Sequence, residues 1–360
     1  MDRPAAQAIE VCDRMRASVG MSGVTDCATV PVLLLYDLDR TWGQVDIDQV
    51  EQESAHVESA LRELGHPVKS QPVCDTDLAA TLAAYDPAEW IVFNWCEGLP
   101  GVAHSDALVA SILSNMGFTF TGSEDATLEL SWDKPRVGRR LWECGVSVPY
   151  SQVYESCQLN GWDRFPAIVK PAWEHYSLGV SREAVVLTHD ELFARIDYVL
   201  NAFREPALVE EFIDGRELHV SLLGNGTVHM LPPAEMDFSA FSDVRDRLCD
   251  YDSKYLPGSR HYEQIQLRVP AELSAEQYAH LDKTARLAYD ALECRDYARL
   301  DIRMRDGQLY VLDVNPNTDL SAATSTVMAA ELVGLSHGAL VSCLIGLAAR
   351  RHPRFSQLLL

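Results

Sequence analysis

The chain has 360 residues, 47% of them apolar and 23% charged, as in a globular protein of two or three domains. Its formal net charge of −23 argues against nucleic acid or an anionic membrane as a general partner, although local cations could still receive an anionic ligand. Nine cysteines without paired spacing predict reduced thiols, and the N-terminal residues lack the apolar core of a signal peptide. We therefore expect a cytoplasmic protein.

The first part of the chain predicts alternating strands and helices. Residues 1–30 predict a short helix and a linker, an N-terminal extension without evident chemistry. Apolar runs at Val32–Tyr36 and Trp90–Phe93 are typical of buried parallel strands, and each is followed by a segment with helical spacing. This pattern predicts an α/β domain over residues 31–122. Such sheets bind ligands beyond the carboxyl ends of their strands, where residues 94–101 lie.

A second domain is predicted over residues 123–214. Lys134 opens a helix, and the strand Phe165–Lys170 ends in a second lysine. Thr188–Glu191 forms a capping box before another helix, and the strand Ala207–Ile213 closes the region.

Four charged residues of this domain could bind a nucleotide. Lys134 and Lys170 could neutralise phosphate as point charges, although two exposed lysines are the commoner outcome of such spacing. Glu210 and Glu211 could accept hydrogen bonds from an adenine amino group and ribose hydroxyls, or they could be solvated acids at a strand end.

A third domain is predicted over residues 215–360. Arg216–Leu231 predicts two strands around the turn signal Asn225–Gly226. Residues 237–268 are polar and irregular, which is uncommon unless they form a lid or a binding loop. Ser274 begins a capped helix, and helices return near the end of the chain. The side chains that a lid would bring to a ligand are Tyr251, Lys254 and Tyr255.

The segment Asp301–Asn315 predicts a β-hairpin with unusual polar residues. Strands are depleted in aspartate and asparagine, yet Asp301, Asp313 and Asn315 lie within them. Carboxylate and amide oxygens suit Mg²⁺, which binds one or two carboxylates and completes its octahedron with water and phosphate. The alternative is a solvated polar face on an edge hairpin.

The register of this hairpin decides which side chains meet. With a two-residue loop, Asp301 would oppose Leu312 and Asp313 would point to the other face. With a three-residue loop, Asp301 opposes Val311 and shares a face with Asp313, and Arg299 lies opposite Asp313. We expect the second register, because it gathers the polar side chains on one surface.

Other catalytic chemistry has little support in the sequence. No Ser–His–Asp or Cys–His arrangement stands out, and the eleven histidines lack the spacings of metal sites. Phosphate and metal chemistry is therefore the best supported.

Eight short motifs, in one order between about residues 31 and 350, resemble the ATP-grasp superfamily and its D-alanine–D-alanine ligase-like branch. The motifs are Val92–Gly98, Phe120–Ser123, Asp133–Lys134, Ile168–Pro171, Leu208–Glu217, Tyr251–Tyr255, Ala298–Asp301 and Leu312–Pro316. Each is weak alone, and their number and order make the resemblance specific. It implies the ATP-grasp fold, an α/β (α+β) architecture of three α/β domains with ATP between the central and C-terminal domains.

The resemblance also implies a role for each matching residue. The ATP contacts that it implies are Lys134, Lys170 and Ser177 at the phosphates and their covering loop, Glu210, Glu211, Ile213 and Leu312 at the adenine, and Glu217 at the ribose. The Mg²⁺ ligands would be Asp301, Asp313 and Asn315, with Mn²⁺ as a substitute ion. Arg299 would stabilise the charge of acyl transfer, and Lys254 and Tyr255 would act from the lid.

The implied reaction is ADP-forming amide synthesis. A substrate carboxylate attacks the γ-phosphate of ATP, and an amine then attacks the resulting acylphosphate. Arg299 would stabilise the oxyanion of that step. The implied partners are a small-molecule carboxylate and an amine, and the family implies a homodimer.

The substrate-binding motifs depart from those of the peptidoglycan enzymes. Glu174–Gly179 replaces their Glu-Gly-Ser-Ser-Val-Gly loop, with His175 in place of a glycine and Tyr176 in place of a serine. The glycine-rich motif that holds the first substrate is missing, and Asp313 is shorter than the usual glutamate. The predicted substrate contacts are Tyr176, Asp46, Glu97, Asn317 and Ser321.

These departures favour a carboxylate–amine ligase acting on amino-acid-like substrates of a specialised pathway. The alternatives are a D-alanine–D-alanine ligase, a non-catalytic nucleotide-binding protein, and an enzyme that phosphorylates its substrate without ligation.

Overall fold

The computed structural model describes residues 30–158 and 161–356, so the predicted extension over residues 1–30 lies, apart from Val30, outside the described residues. The helices are α1 (Gln44–Glu63), α2 (Leu78–Leu82), α3 (Asp106–Asn115), α4 (Asp125–Trp132), α5 (Lys134–Glu143), α6 (His189–Ala202), α7 (Tyr251–Tyr255), α8 (Arg260–Gln264), α9 (Ala275–Ala291), α10 (Ser325–Leu332) and α11 (His337–Ala349). The strands are β1 (Val32–Asp37), β2 (Val68–Val73), β3 (Ile91–Trp95), β4 (Thr119–Phe120), β5 (Ser151–Tyr154), β6 (Ala167–Pro171), β7 (Val185–Val186), β8 (Ala207–Glu211), β9 (Arg216–Asn225), β10 (Thr227–Met230), β11 (Ala234–Asp237), β12 (Gln266–Arg268), β13 (Tyr297–Arg305) and β14 (Gln308–Pro316).

The first sheet is parallel, as its apolar strands predicted. Its strand order is β2-β1-β3-β4, and β1 is buried on both faces because helices cover both sides. Leu33 and Leu35 face the core that α3 closes with Val109 and Leu113. Strands β1 and β3 are parallel neighbours, so Asp37 at the end of β1 and the residues after Trp95 lie at the same edge of the sheet.

The opposite face of this sheet is covered by α1 and by α11, which comes from the far end of the chain. Val32, Leu34 and Phe93 share one buried cluster with Leu340 and Leu344 of α11. Within the described residues, no single helix is long and apolar enough to span a membrane; only α10 and α11 together, bent by 97°, meet that length and composition.

The central sheet is antiparallel, with the order β5-β8-β6-β7 and α6 packed on it. Helix α5 begins at Lys134, as predicted. The capping box predicted for α6 is only half formed: the Thr188 hydroxyl accepts from the Glu191 amide, but the Glu191 carboxylate accepts from Leu187. The box at Ser274 and Gln277, which starts α9, is complete.

The third sheet is antiparallel and has one apolar and one polar face. Its order is β12-β11-β9-β13-β14, with β10 pairing to β9. Alternate residues of β9 and β13, such as Leu218, Val220 and Leu300, pack against Leu281 and Ala285 of α9. The residues between them point to the other face, where His219 and Ser221 contact Ser325 and Thr326 of α10.

The hairpin of β13 and β14 has the predicted shared face but not the predicted register. Arg305 pairs with Gln308, so the loop is the two-residue turn Asp306–Gly307, and both turn residues have positive φ, as in a type I′ turn. A β-bulge then shifts the register between Asp301 and Ile302.

The bulge changes the partners of the polar residues. Asp301 pairs with Asp313 instead of Val311, and Arg299 pairs with Asn315 instead of Asp313. Leu312 is the extra residue. The expected three-residue loop was therefore wrong, and the bulge is what brings the two carboxylates onto one face.

The predicted lid segment is more regular than its composition suggested. Between β11 and β12 the structure contains the short helices α7 and α8 and a 3-10 turn at Val244–Asp246. Asp250 caps α7 by accepting from the Ser253 amide at 2.9 Å, and Ser259 caps α8. Local capping by aspartate and serine thus orders a polar segment.

A fully buried carboxylate joins the first sheet to the third. Asp296, which is 0% exposed, accepts from the Gly122 amide at 2.8 Å and from the Asn225 amide group at 2.7 Å. The Arg351 guanidinium binds both Asp296 oxygens, at 2.6 and 2.8 Å, and also donates to the Phe120 carbonyl. These bonds fix the chain ends of β4, β9 and α11 around one charge.

Removing this charge should destabilise the whole fold. We expect Asp296→Ala to lower the free energy of unfolding by about 3–5 kcal/mol, because Arg351 then loses its partner while it stays partly buried. The surface pair Asp282–Arg286 on α9 is the matched control, and Asp282→Ala should cost less than about 1 kcal/mol. Urea unfolding measures both values, and equal small losses in the two variants would contradict this role for Asp296.

Candidate active site

The polar face of the third sheet carries a dense set of charged side chains. Because neighbouring residues that pair across strands share a face, the register places them together. They are Glu217, His219 and Ser221 on β9, Arg299, Asp301 and Arg303 on β13, and Asp313 and Asn315 on β14.

Asp301 lies at the centre of the predicted metal site. The Arg299 guanidinium binds it with two hydrogen bonds, of 2.8 and 3.1 Å. Burial alone would raise the pKa of Asp301, but the charge of Arg299 and then that of His219 hold this pKa below its ordinary value. Asp301 is therefore a carboxylate held in its ionised form.

The donor set around Asp301 fits a hard cation. Asp313 lies directly across the strand pair, and the Asn315 amide nitrogen donates to the Arg299 carbonyl at 3.3 Å and to Asp301 at 3.4 Å. The amide nitrogen of Asn315 thus faces Asp301, and a half-turn of the amide group would present its oxygen to an ion bound there. Two carboxylates and one amide oxygen are the ligands that Mg²⁺ prefers, so the three predicted residues fit that ion.

Two partly buried lysines, one at the start of α5 and one on β6, lie near this cluster. Lys170 forms an ion pair of 2.6 Å with Glu210, whose charge raises the Lys170 pKa against the effect of burial. Lys134 donates to the Glu174 carbonyl, and burial lowers its pKa. The charge of Asp313 acts to raise the pKa of both lysines, so the two ammonium groups lie within electrostatic range of this carboxylate.

A small cleft lies between these groups. It is lined by residues of α5, β5, β8 and β14, including Lys134, Leu208, Glu210, Leu312 and Asp313. The cleft thus combines one cation, two carboxylates and an apolar wall, and it would have to widen to admit a nucleotide.

The residues predicted to hold adenine and ribose already have partners within the protein. Glu211 binds Arg305 at 2.6 Å, and the Ile213 carbonyl accepts from Arg303 at 2.8 Å. Glu217 is buried and binds Arg303 at 2.7 Å. Burial would raise the Glu217 pKa, but the Arg303 charge lowers it strongly.

Arg303 is one of the residues of this face that sequence reasoning missed, together with His219 and Ser221. It is 3% exposed, stacks over Phe212 at 4.6 Å and Phe238 at 5.3 Å, and donates to Glu217 and to backbone carbonyls. Its position two residues after Asp301, on the same strand face, was the available signal.

The lid segment touches the loop after β6. Lys254 of α7 donates to the Ser177 hydroxyl at 2.9 Å, and that hydroxyl donates to the Cys249 carbonyl at 3.2 Å. Asp250, which caps α7, is held by His261 at 2.6 Å. Tyr255 is the last residue of α7, and its role stays a prediction.

A second group of side chains lies at the carboxyl end of the first sheet. The Tyr176 hydroxyl donates to Glu97 at 3.2 Å, which joins the loop after β6 to the loop after β3. Asp37, at the end of β1, accepts from the Glu97 amide at 3.1 Å. Burial in this cleft, and then the charges of Asp37 and Asp319, raise the pKa of Glu97 to about 8, although its side chain still reaches solvent.

Aromatic rings form one wall of this cleft. Trp132 stacks on His104 with 4.0 Å between ring centroids and lies 4.1 Å from His175. The Trp132 ring nitrogen donates to Asp106 at 2.8 Å. Burial and the Lys134 charge lower the pKa of His175 to about 4, so this ring is neutral near pH 7.

Three other residues that were predicted to contact substrate lie apart from the hydrogen bond between Tyr176 and Glu97. Asn317 has a positive φ, and its side-chain oxygen accepts from the Ser123 amide at 2.7 Å, beside the turn at Gly122. Ser321 donates to Asp319 at 2.6 Å and contacts Glu53 of α1 at 3.4 Å. Asp46 is exposed in the first turn of α1, so Glu53 is the acid of this helix that reaches Ser321.

Comparison with known proteins identifies the family. Residues 150–346 match the family model described as D-ala D-ala ligase C-terminus. The chain belongs to the D-alanine–D-alanine ligase family. It is thus an ATP-grasp carboxylate–amine ligase of the D-alanine–D-alanine ligase type, as the eight motifs indicated.

Relatives of the family align over most of their length. An uncharacterized protein of Sinorhizobium fredii, y4sG, is 32% identical, with 82% of this chain and 87% of that protein covered. The D-alanine–D-alanine ligase of Pseudothermotoga lettingae is 28% identical (82% and 93% covered), and that of Desulforudis audaxviator is 32% identical (70% and 80% covered).

Solved structures of the family confirm the fold. The D-alanine–D-alanine ligase of Bacillus anthracis complexed with ATP superposes with a TM-score of 0.70 at 20% identity, over 90% of this chain and 99% of that one. The predicted ATP-grasp fold of mixed helices and strands is therefore correct. The domain boundaries at residues 122 and 214 and the roles of single residues stay predictions.

The raised pKa of Glu97 in this family member predicts a pH effect on stability. With its pKa raised to about 8, Glu97 in the folded protein would hold a proton at pH values where the unfolded chain, with the ordinary pKa of 4.5, has lost it. Between these values the folded state binds more protons than the unfolded state, so the free energy of unfolding should fall as pH rises. Glu97→Gln removes this pH dependence, because an amide does not bind a proton in this range.

Urea unfolding of the two proteins across that pH window measures the difference. We expect the stability of Glu97→Gln, relative to the parent protein, to increase from pH 4.5 to about pH 8. Glu89→Gln, an exposed change in the same sheet domain, should follow the parent protein. A constant difference between the parent protein and Glu97→Gln over the window would exclude a raised pKa.

Proposed function

We propose that the protein is an ADP-forming ligase that uses ATP and Mg²⁺ to join the carboxylate of one amino-acid-like substrate to the amine of another. The observation that carries this proposal is the convergence of Lys134 and Lys170 with Asp301 and Asp313. Lys134 and Asp313 line one cleft, Lys170 lies within electrostatic range of Asp313, and Asp301 pairs with Asp313 across the strands. Cations beside a pair of carboxylates are the groups that a metal-bound triphosphate requires.

Each residue of the cleft has a part in the proposed reaction. Lys134 and Lys170 bind phosphate oxygens, and Asp301, Asp313 and Asn315 hold the metal. When bound, Mg²⁺ neutralises charge on the transferring phosphoryl group. Arg299, fixed by its two bonds to Asp301, donates to the oxyanion that forms when the amine attacks.

The lid protects the activated carboxylate from water. Lys254 reaches Ser177 across the cleft, so α7 covers the loop after β6 while the two stay joined. An acylphosphate hydrolyses if water enters, and a closed lid therefore favours amide formation over wasteful ATP hydrolysis.

The substrates of this proposal differ from two molecules of D-alanine. His175 and Tyr176 place aromatic groups where the peptidoglycan enzymes have glycine and serine, and Tyr176 bonds to Glu97 across the cleft. The Asp37 and Glu97 carboxyl groups lie beside this bond, and the ammonium group of an amino-acid-like substrate bound there would favour the ionised form of Glu97. We infer that the ATP-binding residues match those of the peptidoglycan enzymes, whereas the substrate-binding residues differ from theirs and suit the substrates of a specialised pathway.

D-Alanine–D-alanine ligation is the second candidate. Several relatives that align over most of this chain carry that name. The two candidates share the nucleotide site and differ in the amino-acid pair that is turned over.

A substrate panel separates these candidates. ADP release from Mg·ATP would be measured with amino acids singly and in pairs, D-alanine included, together with product mass. We expect one pair other than two D-alanines to give a product lighter than its substrates by one water. Turnover of D-alanine alone would establish the second candidate, and ADP release with a single amino acid and no amide would indicate phosphorylation without ligation.

Asp313→Asn tests the metal site directly. The variant keeps an oxygen but loses a charge, so we expect ATP turnover to fall on the order of 100-fold, the factor that corresponds to ~3 kcal/mol of lost charge stabilisation. Asp306→Asn in the turn of the same hairpin is the matched control, because this residue is exposed and Asn-Gly suits a type I′ turn. Unchanged turnover in Asp313→Asn would reject the site.

A further inference from the structure

Three side chains with different ligand atoms converge beside the predicted magnesium site. Glu217 and His219 are alternate residues of β9, and Cys249 comes from the segment just before α7. One carboxylate oxygen, one imidazole nitrogen and the thiol sulfur all lie within 4.8 Å of one another. Glu217 and His219 are buried, and Cys249 is partly buried.

His219 is oriented as a metal-bound histidine is. Its Nδ1 lies 3.3 Å from the Ser325 hydroxyl, which fixes the ring. Its Nε2 points between a Glu217 oxygen at 3.7 Å and an Asp301 oxygen at 3.9 Å. Nitrogen and oxygen lone pairs that face one another need a cation between them, either a proton or a metal ion.

Glu217 can serve two partners at once. Its Oε2 accepts from Arg303, whereas its Oε1 is the oxygen nearest to His219. The ion pair with Arg303 therefore fixes the carboxylate while leaving one oxygen directed toward His219 and Cys249.

The donor set differs in kind from that of the hairpin. Asp301, Asp313 and Asn315 offer only oxygen, which suits Mg²⁺. Sulfur, imidazole nitrogen and one carboxylate are the ligands of Zn²⁺ and similar ions, with water as the fourth ligand. The two neighbouring clusters would therefore select different ions.

We propose that Glu217, His219 and Cys249 bind a thiophilic divalent cation such as Zn²⁺, and that the bound ion excludes nucleotide. The first half rests on the geometry of these three residues. The second half rests on the proposed function, in which Glu217 holds the ribose. An ion bound to the Glu217 oxygen would occupy the position at which this oxygen accepts a hydrogen bond from the ribose.

Binding exchanges a proton for the ion without any redox change. Burial raises the pKa of Cys249, so the metal-free side chain is a thiol. The S–H bond breaks, its proton leaves to solvent, and a bond between sulfur and the ion forms. Nothing is oxidised or reduced.

Cobalt(II) provides a test that reports sulfur coordination. The full chain, without a histidine tag and treated with chelator, would be titrated with Co²⁺ while its absorption spectrum is recorded. We expect a thiolate-to-cobalt charge-transfer band that saturates at one ion per chain and disappears when Zn²⁺ is added. No such band in the parent protein would overturn the site.

Variants assign the band to this cluster. Cys249→Ser should lose the band. Cys157 is the matched control, because its sulfur also lies near a carboxylate, at 3.5 Å from Asp197, and Cys157→Ser should keep the band. Ser325→Ala removes only the group that orients His219 and should weaken Co²⁺ binding roughly 10–100-fold. A band that persists in Cys249→Ser would overturn the proposal, and a thermal melt of each variant shows whether it is folded.

Adenosine tests the exclusion of nucleotide, because it lacks the phosphates that would themselves bind the ion. By calorimetry, saturating Zn²⁺ should weaken adenosine binding at least about tenfold in the parent protein and leave it unchanged in Cys249→Ser. Equal affinity with and without Zn²⁺ would overturn the exclusion. A chain that binds cobalt but no adenosine would contradict the proposed function and leave the metal site standing.

Discussion

The candidate site depends on one extra residue in a strand. The bulge at Leu312 restores the alternation of β14 so that Asp313 and Asn315 face the same side as Asp301. Without it, both would turn toward α9 and the apolar layer around Leu300. A carboxylate in that layer would lack partners and cost several kcal/mol. The apolar packing of α9 on one face and the polar cluster on the other are therefore two results of one register.

The charges of the site are already paired before any ligand arrives. Arg299 holds Asp301, Lys170 holds Glu210, and Arg303 holds a third carboxylate. Pairing allows cations to be buried in a protein of net charge −23, because each one is compensated locally. A triphosphate entering the cleft would exchange partners with these cations. Three ion pairs of the site are thus formed before a ligand binds, and an anion would bind by exchanging partners with them.

Local patterns predicted much of the fold and less of the site. The parallel strands, the start of α5 at Lys134 and the capping box at Ser274 follow from short stretches of sequence, and the structure has them. The hairpin register did not follow, because Asp-Gly fits loops of two or three residues and a bulge leaves no local signature. Arg303 and Asp296 were missed for a related reason: their importance comes from partners far along the chain. Assignment to the ATP-grasp family came from the order of motifs.

The placement of α11 has a consequence for how the chain acquires its structure. Leu340 and Leu344 fill the core of the first sheet beside Val32 and Phe93, although nearly the whole described chain separates them. Contacts of such long sequence separation form slowly, because the intervening loop must close first. During synthesis, α1 alone would cover this apolar face of the first sheet until α11 emerges. The core of the first sheet is then completed only after most of the described chain has been made, and chaperone binding to the half-covered face would be most useful at this stage.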